Sequence, residues 1–285
     1  MFRFLPPLDS HIWLEFFTII LVLYFVFDIS VKFYLNYQKG LEQLELIKQE
    51  NERTKAALVI KSEFVSVVSH ELRTPLTSIK GSLDLIKSGR VGELSPELQP
   101  LVQMASKNST RLAKMIDELL DLQKMESGEM AFRFEPVDVN GLVNEAVEAT
   151  FGYASQLGIN VTTALCDGDC WIMADRSRLD QVMQNLLSNA LKFSEVGGTV
   201  KVGAEVMGRR VRISVEDEGI GIPDGAKEQV FGRFSQVDSS DTRKVGGTGL
   251  GLNISKEIIE RHNATIDFVS ELGKGTTFFL EFDCL

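Results

Sequence analysis

A histidine beside a carboxylate offers a nucleophile. His70 and Glu71 are neighbours in the stretch FVSVVSHELRTPLTSIKGSLDLI, residues 64–86. An imidazole attacks electrophiles at neutral pH when one ring nitrogen donates a hydrogen bond to a carboxylate and the other keeps its lone pair free. Apolar residues recur here at steps of three and four, which predicts a helix with one apolar face, and His70 lies nearly opposite that face. The pattern indicates an exposed imidazole that Glu71 can orient and from which Glu71 can accept a proton as a general base.

The next helical turn bears on the same site. Thr74 follows His70 by four positions and therefore lies on the same side of the predicted helix. Pro75 removes one amide from the helical hydrogen bonding, so it either loosens the helix beside His70 or forms a tolerated kink. The sequence leaves both interpretations of Pro75 open.

A second group of polar residues, in QNLLSNALKF (residues 184–193), has the spacing of a phosphate or cation site. Asn185 and Asn189 are four positions apart on a predicted helix and share one face. Asparagine is unfavourable in the middle of a helix, so two on one face favour ligation of a hydrated cation or a phosphate. Lys192 continues that edge and could meet a terminal phosphate.

Two glycine-rich stretches could approach a nucleotide closely. In DEGIGIP, residues 217–223, glycines follow a predicted strand, and Asp217 could accept a hydrogen bond from an exocyclic amine. GGTGLGL, residues 246–252, leads into a predicted helix, and glycine-rich backbone at a helix N-terminus can surround a phosphate. Either stretch alone is equally explained by turns. Their order within one domain favours a nucleotide site.

Composition limits the classes of ligand. The chain has 285 residues, enough for about two domains, and a formal net charge of −10. Such an acidic chain is a poor candidate for binding nucleic acid, so a polyanionic ligand must be met by a few local cations, backbone amides or a metal. Three cysteines are too few for a disulfide framework and fit a reducing compartment. The CDGDC spacing could suit a metal, although a turn between strands is the preferred interpretation.

An apolar segment near the start predicts one transmembrane helix at about residues 12–31, within an N-terminal segment of residues 1–36. Basic residues follow this span more often than they precede it, which predicts that the C-terminal part is cytoplasmic. An interfacial or buried helix is the alternative. No small-residue cleavage site follows the span, so a removed signal peptide is not expected.

The remaining chain divides into helical and mixed parts. A polar helical linker at residues 37–60 precedes a two-helix hairpin at residues 61–128, whose second helix is predicted to begin with Ser95 as N-cap and Pro96 at its first position. Two narrow apolar stripes cannot enclose a core, which favours a dimeric four-helix bundle over a monomer packed on the other domain. From residue 131 to 285, alternating strands, among them MAFRFEPVDV, and helices predict an α+β domain.

Six motifs resemble those of one enzyme family. SHELRTPLT, NLLSNALKF, DEGIGIP, VFGRFSQVD, GGTGLGL and GKGTTF are similar, in this order, to the H, N, G1, F, G2 and G3 boxes of bacterial sensor histidine kinases of two-component systems. They cover residues 60–283. The resemblance implies a multidomain chain with a transmembrane helix, a dimeric four-helix bundle and an α+β sandwich ATP-binding domain. It further implies a homodimer, single-pass in the inner (cytoplasmic) membrane, that uses ATP and Mg²⁺ and passes phosphate to the receiver domain of a separate response regulator.

The resemblance also implies roles for individual residues. His70 would be the phospho-acceptor, Glu71 its base, and Thr74 the residue that helps water to dephosphorylate the partner. Asn189 would hold Mg²⁺. The implied nucleotide-binding residues are Asn185, Asn189 and Lys192 at the phosphates, Phe193 against the adenine, Asp217 at its amino group, Gly219, Gly221, Gly247, Thr248, Gly249, Leu250 and Gly251 in the glycine-rich loops, and Thr276 near the base.

The family pattern also implies a lid over the nucleotide. Phe231 and Phe234 would anchor SQVDSSDTRKV, residues 235–245, in which Arg243 or Lys244 could reach the γ-phosphate or be a solvated charge. Two other functions compete with the kinase. An ATPase of the gyrase or ninety-kilodalton chaperone type would not need SHELRTPLT on a helical hairpin. A membrane-anchored nucleotide-binding phosphatase or scaffold with little kinase output would keep every motif.

Overall fold

The computed structural model describes residues 10–235 and 248–285, without the side chains of residues 10–12, 56–59, 61–63, 66 and 227–228. Gly247 and the lid beyond Ser235, with Arg243 and Lys244, lie outside the described residues, so their predicted roles stay predictions. The chain divides into two compact units, one up to Lys61 and one from Ser62 onward.

Helix α1 spans Ser10–Lys87, and its residues up to Lys61 belong to the first unit. Among the described residues, the part within Trp13–Lys55 is the one segment long and apolar enough to cross a membrane. Its hydroxyls bond within the helix, Thr18 to the Leu14 carbonyl (2.7 Å) and Ser30 to the Val26 carbonyl (2.8 Å). These bonds leave the hydroxyl protons satisfied without water, as a hydrocarbon environment requires.

The second unit begins with a helical hairpin. α1 ends at Lys87, and Gly89 and Gly92, both with positive φ, lie in the turn before α2, Leu98–Glu126. Arg73 pairs with Asp117 at 2.5 Å and joins the two helices. Pro75 lies inside α1, which continues through it.

The predicted start of α2 was wrong. Ser95 is not its N-cap, because α2 begins at Leu98 after Glu97, which makes no side-chain cap. The Ser95 hydroxyl bonds the Glu97 carboxylate instead, and the Ser95 carbonyl accepts from the Leu98 amide at 3.0 Å. The serine therefore closes a turn before the helix.

The mixed part begins with a short two-stranded sheet. It pairs β1 (Glu135–Asp138) antiparallel with β3 (Trp171–Ala174). The predicted strand MAFRFEPVDV was too long, because residues 130–134 form no strand. The Arg133 amide donates to the Asp175 carboxylate at 2.8 Å rather than to a neighbouring strand, and Phe132 and Phe134 pack edge-on against His262.

A five-stranded sheet and three long helices form the core of this α+β part. The strand order is β2-β4-β5-β7-β6, with β2 and β4 parallel and the other pairs antiparallel. The pairs β4–β5 and β6–β7 are antiparallel hairpins of consecutive strands. The strands are β2 Asn160–Ala164, β4 Thr199–Met207, β5 Arg210–Asp217, β6 Thr265–Glu271 and β7 Gly275–Asp283; the helices are α3 Val139–Leu157, α4 Arg176–Phe193, the short α5 Lys227–Val230 and α6 Gly251–Arg261.

Apolar side chains of α3, α4 and α6 cover one face of this sheet. Alternate residues of β5 are buried, as period-two alternation requires when one face meets the core. Leu186 and Leu187 of α4 and Ile258 of α6 are almost completely buried in that layer. The polar edge of α4 is thereby left toward the glycine-rich loops.

Candidate functional site

His70 is exposed on α1, as its position on the helical wheel predicts. Its side chain is 76% exposed, and the Glu71 carboxylate Oε1 lies 3.8 Å from Nδ1. That separation is an ion-pair distance rather than a hydrogen bond. Because Nδ1 faces Glu71, Nε2 is the nitrogen left for an electrophile in solution.

Thr74 lies one turn from His70, where the sequence placed it. Its hydroxyl donates to the His70 carbonyl at 3.3 Å and is exposed. Weak bonds of this length release a hydroxyl at little cost. Thr74 can therefore bond water beside His70.

Asn185 and Asn189 share the polar edge of α4. The N-terminus of this helix is capped by the Asp175 carboxylate, which accepts from the Arg178 amide at 3.1 Å. Asn185 Nδ2 donates to Ser255 Oγ of α6 at 2.9 Å. A side chain at Gly251, in the first turn of α6, would collide with the Asn185 carboxamide. Glycine at this position therefore lets α6 approach α4 closely, a contact that sequence reasoning did not predict.

Asn189 could hold Mg²⁺ that arrives with a polyphosphate. No described residue bonds its half-buried carboxamide, whereas Asn185 is already bonded. Within the described ranges no three acidic, histidine or cysteine side chains are placed to hold a metal by themselves. Mg²⁺ usually takes few protein ligands and completes its octahedron with phosphate oxygens and water. A single amide oxygen thus fits the ion.

Lys192 lies in a cationic environment. Burial lowers the pKa of its ammonium group, and Lys114 and Arg111 of α2 lower that pKa further. Its Nζ is 4.6 Å from the centre of the Phe193 ring. An anion bound here would relieve the repulsion among these cations. Sequence reasoning missed Lys114 and Arg111, because nothing in the local pattern of α2 shows which helix it faces.

Asp217, Gly219 and Thr276 are brought together at one end of the sheet. Asp217 and Thr276 are direct partners in the β5–β7 pairing. The amides of Gly219 (2.9 Å) and Thr276 (3.3 Å) both donate to the same oxygen, Oδ1 of Asp217. Burial outweighs these bonds and raises the pKa of the Asp217 carboxyl to about 6. The second oxygen, Oδ2, is left to accept from a ligand.

The first glycine-rich stretch lies against two neighbouring segments. Any side chain at Gly219 would collide with the Phe193 carbonyl at the end of α4. Gly221 has a φ of +69°, and a side chain there would collide with the Glu271 carbonyl at the end of β6. Glycine is therefore required at both positions, and DEGIGIP joins the end of α4 to the Asp217 end of the sheet.

The second glycine-rich stretch is described from Thr248 onward. Gly249 lies against the backbone of Phe234. Thr248 Oγ1 accepts from the Leu250 amide at 3.3 Å. The Leu250 side chain is 1% exposed in the hydrophobic core. The predicted contact of Leu250 with the nucleotide can therefore involve only its backbone. Its core role follows from its place before α6.

Of the two predicted lid anchors, one is packed and one is not. Phe231 packs against Phe268 and Phe278, with ring centroids 6.0 and 6.4 Å away. Phe234 is 61% exposed with a φ of 55°, and the lid that it was predicted to anchor lies outside the described residues, so that role stays a prediction. The positive φ turns the chain at Phe234 toward Gly249, and the ring is left outside the core.

Polar contacts also join α2 to the α+β part, and no sequence pattern predicted them. Each pairs a residue in the C-terminal half of α2 with a residue of the α+β part. They are Arg261 Nη2 with the Met125 carbonyl (2.9 Å), Gln181 Nε2 with the Asp121 carboxylate (2.8 Å), and Arg233 with Glu126. Arg233 belongs to the F-box stretch, so the segment leading into the lid is tied to the hairpin.

Two family models match the chain. His Kinase A (phospho-acceptor) domain matches residues 60–128, which include His70. Histidine kinase-, DNA gyrase B-, and HSP90-like ATPase matches residues 174–284, which include Asn189 and Asp217. The two models fall on the hairpin and on the α+β part.

Curated relatives match the same region. Sensor histidine kinase WalK of Bacillus subtilis is 38% identical over 220 residues, which are 76% of this chain and 36% of the relative. Sensor protein SrrB of Staphylococcus aureus is 35% identical over 222 residues, 78% of this chain and 38% of the relative. The chain thus spans little more than a third of the length of these relatives.

Solved structures agree with the fold. Full-length ShkA in complex with AMPPNP superposes with a TM-score of 0.65 at 29% identity, covering 78% of this chain and 46% of that chain. Histidine kinase ThkA in complex with response regulator protein TrrA superposes with a TM-score of 0.58 at 29% identity, covering 85% of this chain and 67% of that chain. With a phospho-acceptor domain followed by an ATPase domain of the kinase type, this chain belongs to the bacterial sensor histidine kinases of two-component systems.

Proposed function

We propose that this chain is a membrane-anchored kinase that phosphorylates its own His70 from Mg-ATP and passes the phosphoryl group to an aspartate of a separate response regulator. The observation that carries the proposal is the exposed His70 imidazole, with a carboxylate 3.8 Å from Nδ1, in the same chain as the buried Asp217 site. We assign residues 37–60 to a signalling linker, 61–128 to dimerisation and phosphotransfer, and 131–285 to ATP binding.

ATP would bind between α4, the glycine-rich loops and the Asp217 end of the sheet. The Asp217 carboxylate would accept from the adenine amino group, with Phe193 against the ring and Thr276 beside it. Asn185, Lys192 and the backbone of residues 247–251 would meet the phosphates, and Asn189 the Mg²⁺ that neutralises them. The related ShkA was solved with an ATP analogue, which supports this choice of nucleotide.

The transfer itself would be an in-line displacement. His70 Nε2 would attack the γ-phosphorus, the bond to the β,γ-bridging oxygen would break, and ADP would leave. Glu71 would take the proton from Nδ1, so that the phosphorylated ring is neutral. Positioning contributes most of the acceleration in such reactions, which assigns to the loops and α4 the task of aiming the phosphate.

A homodimer would complete the hairpin. Apolar side chains on both helices are about half exposed or more, although such faces are ordinarily covered. A second copy would bury them in a four-helix bundle. These residues are Phe64, Val67, Leu72 and Ile79 on α1, and Leu98, Leu101, Met104 and Leu112 on α2.

The phosphoryl acceptor would be the receiver domain of a response regulator. ThkA was solved with such a regulator, which supports a partner of this kind. Thr74, one turn from His70 with an exposed and weakly bonded hydroxyl, would orient water for dephosphorylation of that partner. This geometry favours phosphatase action as a second activity of the same surface.

The apolar part of α1 would anchor the chain as a single-pass protein of the inner membrane, with the kinase part in the cytoplasm. Basic residues that follow residues 12–31 support this orientation.

The test is labelling of the full chain in detergent with Mg²⁺ and γ-labelled ATP, beside His70→Ala and the matched control His11→Ala. We expect acid-labile, alkali-stable label in the wild type and in H11A, and none in H70A. Label that persists in H70A would contradict the assignment of the phospho-acceptor. ATP binding without any label would instead favour the phosphatase or scaffold function.

A further inference from the structure

All three cysteines of the chain meet at one place in the ATP-binding part, and the proposed kinase chemistry uses none of them. Cys166 and Cys170 lie in the loop between β2 and β3, and Cys284 follows β7. Cys284 is far from the other two in sequence, but an antiparallel bridge between Ile172 and Cys284 brings the end of β7 beside β3. The fold therefore gathers them.

The thiols differ in accessibility. Cys170 is 1% exposed within the hydrophobic core, and Cys166 and Cys284 are half-buried against that core. Cys166 lies four residues before Cys170 in the same loop, and its thiol is a neighbour of the Cys170 thiol. Burial raises the pKa of the Cys170 thiol to about 12, and the neighbouring Cys166, Cys284 and Asp138 raise it as well. Cys170 is therefore protonated at neutral pH, and Cys166 is the member of this pair that solution can reach.

The loop CDGDC is held in the shape that brings its two thiols together. Asn140 Oδ1 accepts from the Cys166 amide at 3.1 Å, and Asn140 Nδ2 donates to the carbonyls of Cys166 and Gly168, both at 3.3 Å. Gly168 has a φ of +93°, which reverses the chain between the cysteines. The Val139 amide donates to the Cys170 carbonyl at 2.9 Å and fixes the other end of the loop.

A metal site does not explain the cluster. The described residues, which include every cysteine, hold no group of three potential ligands arranged for a metal ion. Two neighbouring thiols on an ordered loop are instead an arrangement that favours thiol–disulfide exchange. In a reducing compartment such a pair forms a transient disulfide rather than a permanent one.

We propose that Cys166 and Cys170 are a dithiol that a low-molecular-weight disulfide oxidises to an intramolecular disulfide. The Cys166 thiolate attacks one sulfur of the small disulfide, a mixed disulfide forms, and one small thiol leaves. Cys170 then loses its proton and attacks the Cys166 sulfur, and the second small thiol leaves. The protein is oxidised by two electrons and the small disulfide is reduced to two thiols.

This site is remote from the nucleotide. Thr276, beside Asp217, and Cys284 are separated by eight residues along and just beyond β7. At about 3.3 Å per residue, this is about 26 Å. Oxidation is therefore expected to leave ATP binding unchanged, so that nucleotide affinity serves as a check on folding.

The test uses the full chain in detergent, reduced, freed of reductant, and then incubated with oxidised glutathione. Thiols are counted by alkylation and intact mass, and the disulfide is located by peptide mapping. We expect the count to fall from three to one, with Cys166 linked to Cys170 and full reversal by dithiothreitol. Cys284→Ser, the matched control, should still form the bond, whereas Cys166→Ser should leave both remaining thiols free.

Three results would overturn the proposal. All three thiols could remain alkylatable in protein that binds ATP normally. Glutathione could stay attached to a single cysteine without resolution. The disulfide could include Cys284 rather than join Cys166 to Cys170.

Discussion

At the scale of single residues, Asp217 is stabilising only while it is protonated. Its pKa is about 6 in the folded protein, against 3.8 for an ordinary aspartate. The folded state binds the proton more tightly, so this contribution is present below pH 3.8 and is lost as the pH rises through about 6. Two pKa units correspond to about 3 kcal/mol in the free energy of unfolding at pH 7.

Asp217→Asn is expected to restore the free energy of unfolding that the ionised Asp217 carboxylate costs at neutral pH. Both backbone bonds end on Oδ1, an oxygen that asparagine keeps, and asparagine has no charge to bury. Compared with the wild type, D217N should unfold at a temperature several degrees higher at pH 7.5 and at a similar temperature near pH 4. ATP affinity should nevertheless fall by about tenfold or more, because an acceptor of the adenine amine becomes a donor.

The measurements are thermal unfolding of the full chain at both pH values and titration with a fluorescent ATP analogue. A D217N protein less stable than the wild type at pH 7.5 would contradict the cost assigned to the ionised carboxylate.

His262 has the opposite pH dependence. Its Nε2 accepts from the Asp175 amide at 2.9 Å and its Nδ1 lies 2.7 Å from the Ile258 carbonyl, an arrangement that needs the neutral ring. Burial lowers the pKa of this imidazole, despite the nearby Asp175 carboxylate. The folded state binds the proton more weakly than the unfolded chain, so this stability is present above pH 6.5 and is lost as the pH falls below it.

His262→Ala should destabilise the ATP-binding part by about 2–4 kcal/mol at pH 7.5, since it leaves the Asp175 amide unpaired and opens a cavity beside Phe132 and Phe134. The variant should also lose less stability than the wild type between pH 7.5 and 5.5. Urea unfolding at the two pH values measures both effects, with His11→Ala as the control. An equal loss in H262A and the wild type would exclude His262 as the source of the acid sensitivity.

At the scale of elements, the hairpin exposes apolar side chains on both of its helices. Ile79 of α1 and Leu112 of α2 are about half exposed. If they face a second copy, Ile79→Glu or Leu112→Glu places two charges in each bundle, and the dimer dissociation constant should rise at least about tenfold.

The matched control is Phe151→Glu, an exposed apolar residue on α3 outside the hairpin. Molar mass of the full chain in detergent, from light scattering or sedimentation, should show a monomer for the hairpin variants and a dimer for F151E and the wild type. Dimers of equal stability in all four proteins would place the interface elsewhere.

Elements were predictable from the sequence where local pattern decides them. The hairpins β4–β5 and β6–β7 alternate with period two, and α4 repeats at three and four, so each was recognisable from its own residues. The start of α2 and the length of β1 were not. Ser95 and Arg133 bond to Glu97 and Asp175, and that choice of partner overrides the local signal.

In the candidate site, too, local pattern was readable from the sequence and tertiary packing was not. The sequence predicted roles for His70, Asn189 and Asp217 from residue type and spacing. It could not show that Leu250 would be buried, or that Lys114 would face Lys192, because both depend on how the elements pack.

At the scale of the whole molecule, the acidic chain places three basic side chains together where a polyphosphate is proposed to bind. The net charge is −10, yet Lys192, Lys114 and Arg111 converge at the end of α4. A triphosphate with Mg²⁺ would lower that local repulsion, whereas distant carboxylates are screened within about 10 Å at ordinary salt. Selectivity for an anionic ligand is therefore local and does not require a basic protein.

Besides its apolar length, the proposed membrane span has particular side-chain features at its two ends. An aromatic cluster lies at Trp13, Phe16 and Phe17, and an Asp28–Lys32 ion pair of 2.6 Å lies at the other end. Such features offer a specific surface, from which we infer that the span takes part in signal input, either by sensing the membrane or by docking on another membrane protein.

Replacing Ile12–Val31 with poly-leucine separates the two roles. The swapped chain should remain in the membrane fraction after carbonate washing and should still label His70 with ATP in detergent, because neither property needs the native side chains. The change in His70 phosphorylation that the wild type shows in cells between inducing and non-inducing conditions should be lost. An unchanged response in cells would mean that the span only anchors the kinase, and loss of labelling in detergent would mean that the swap had disturbed the phosphotransfer part itself.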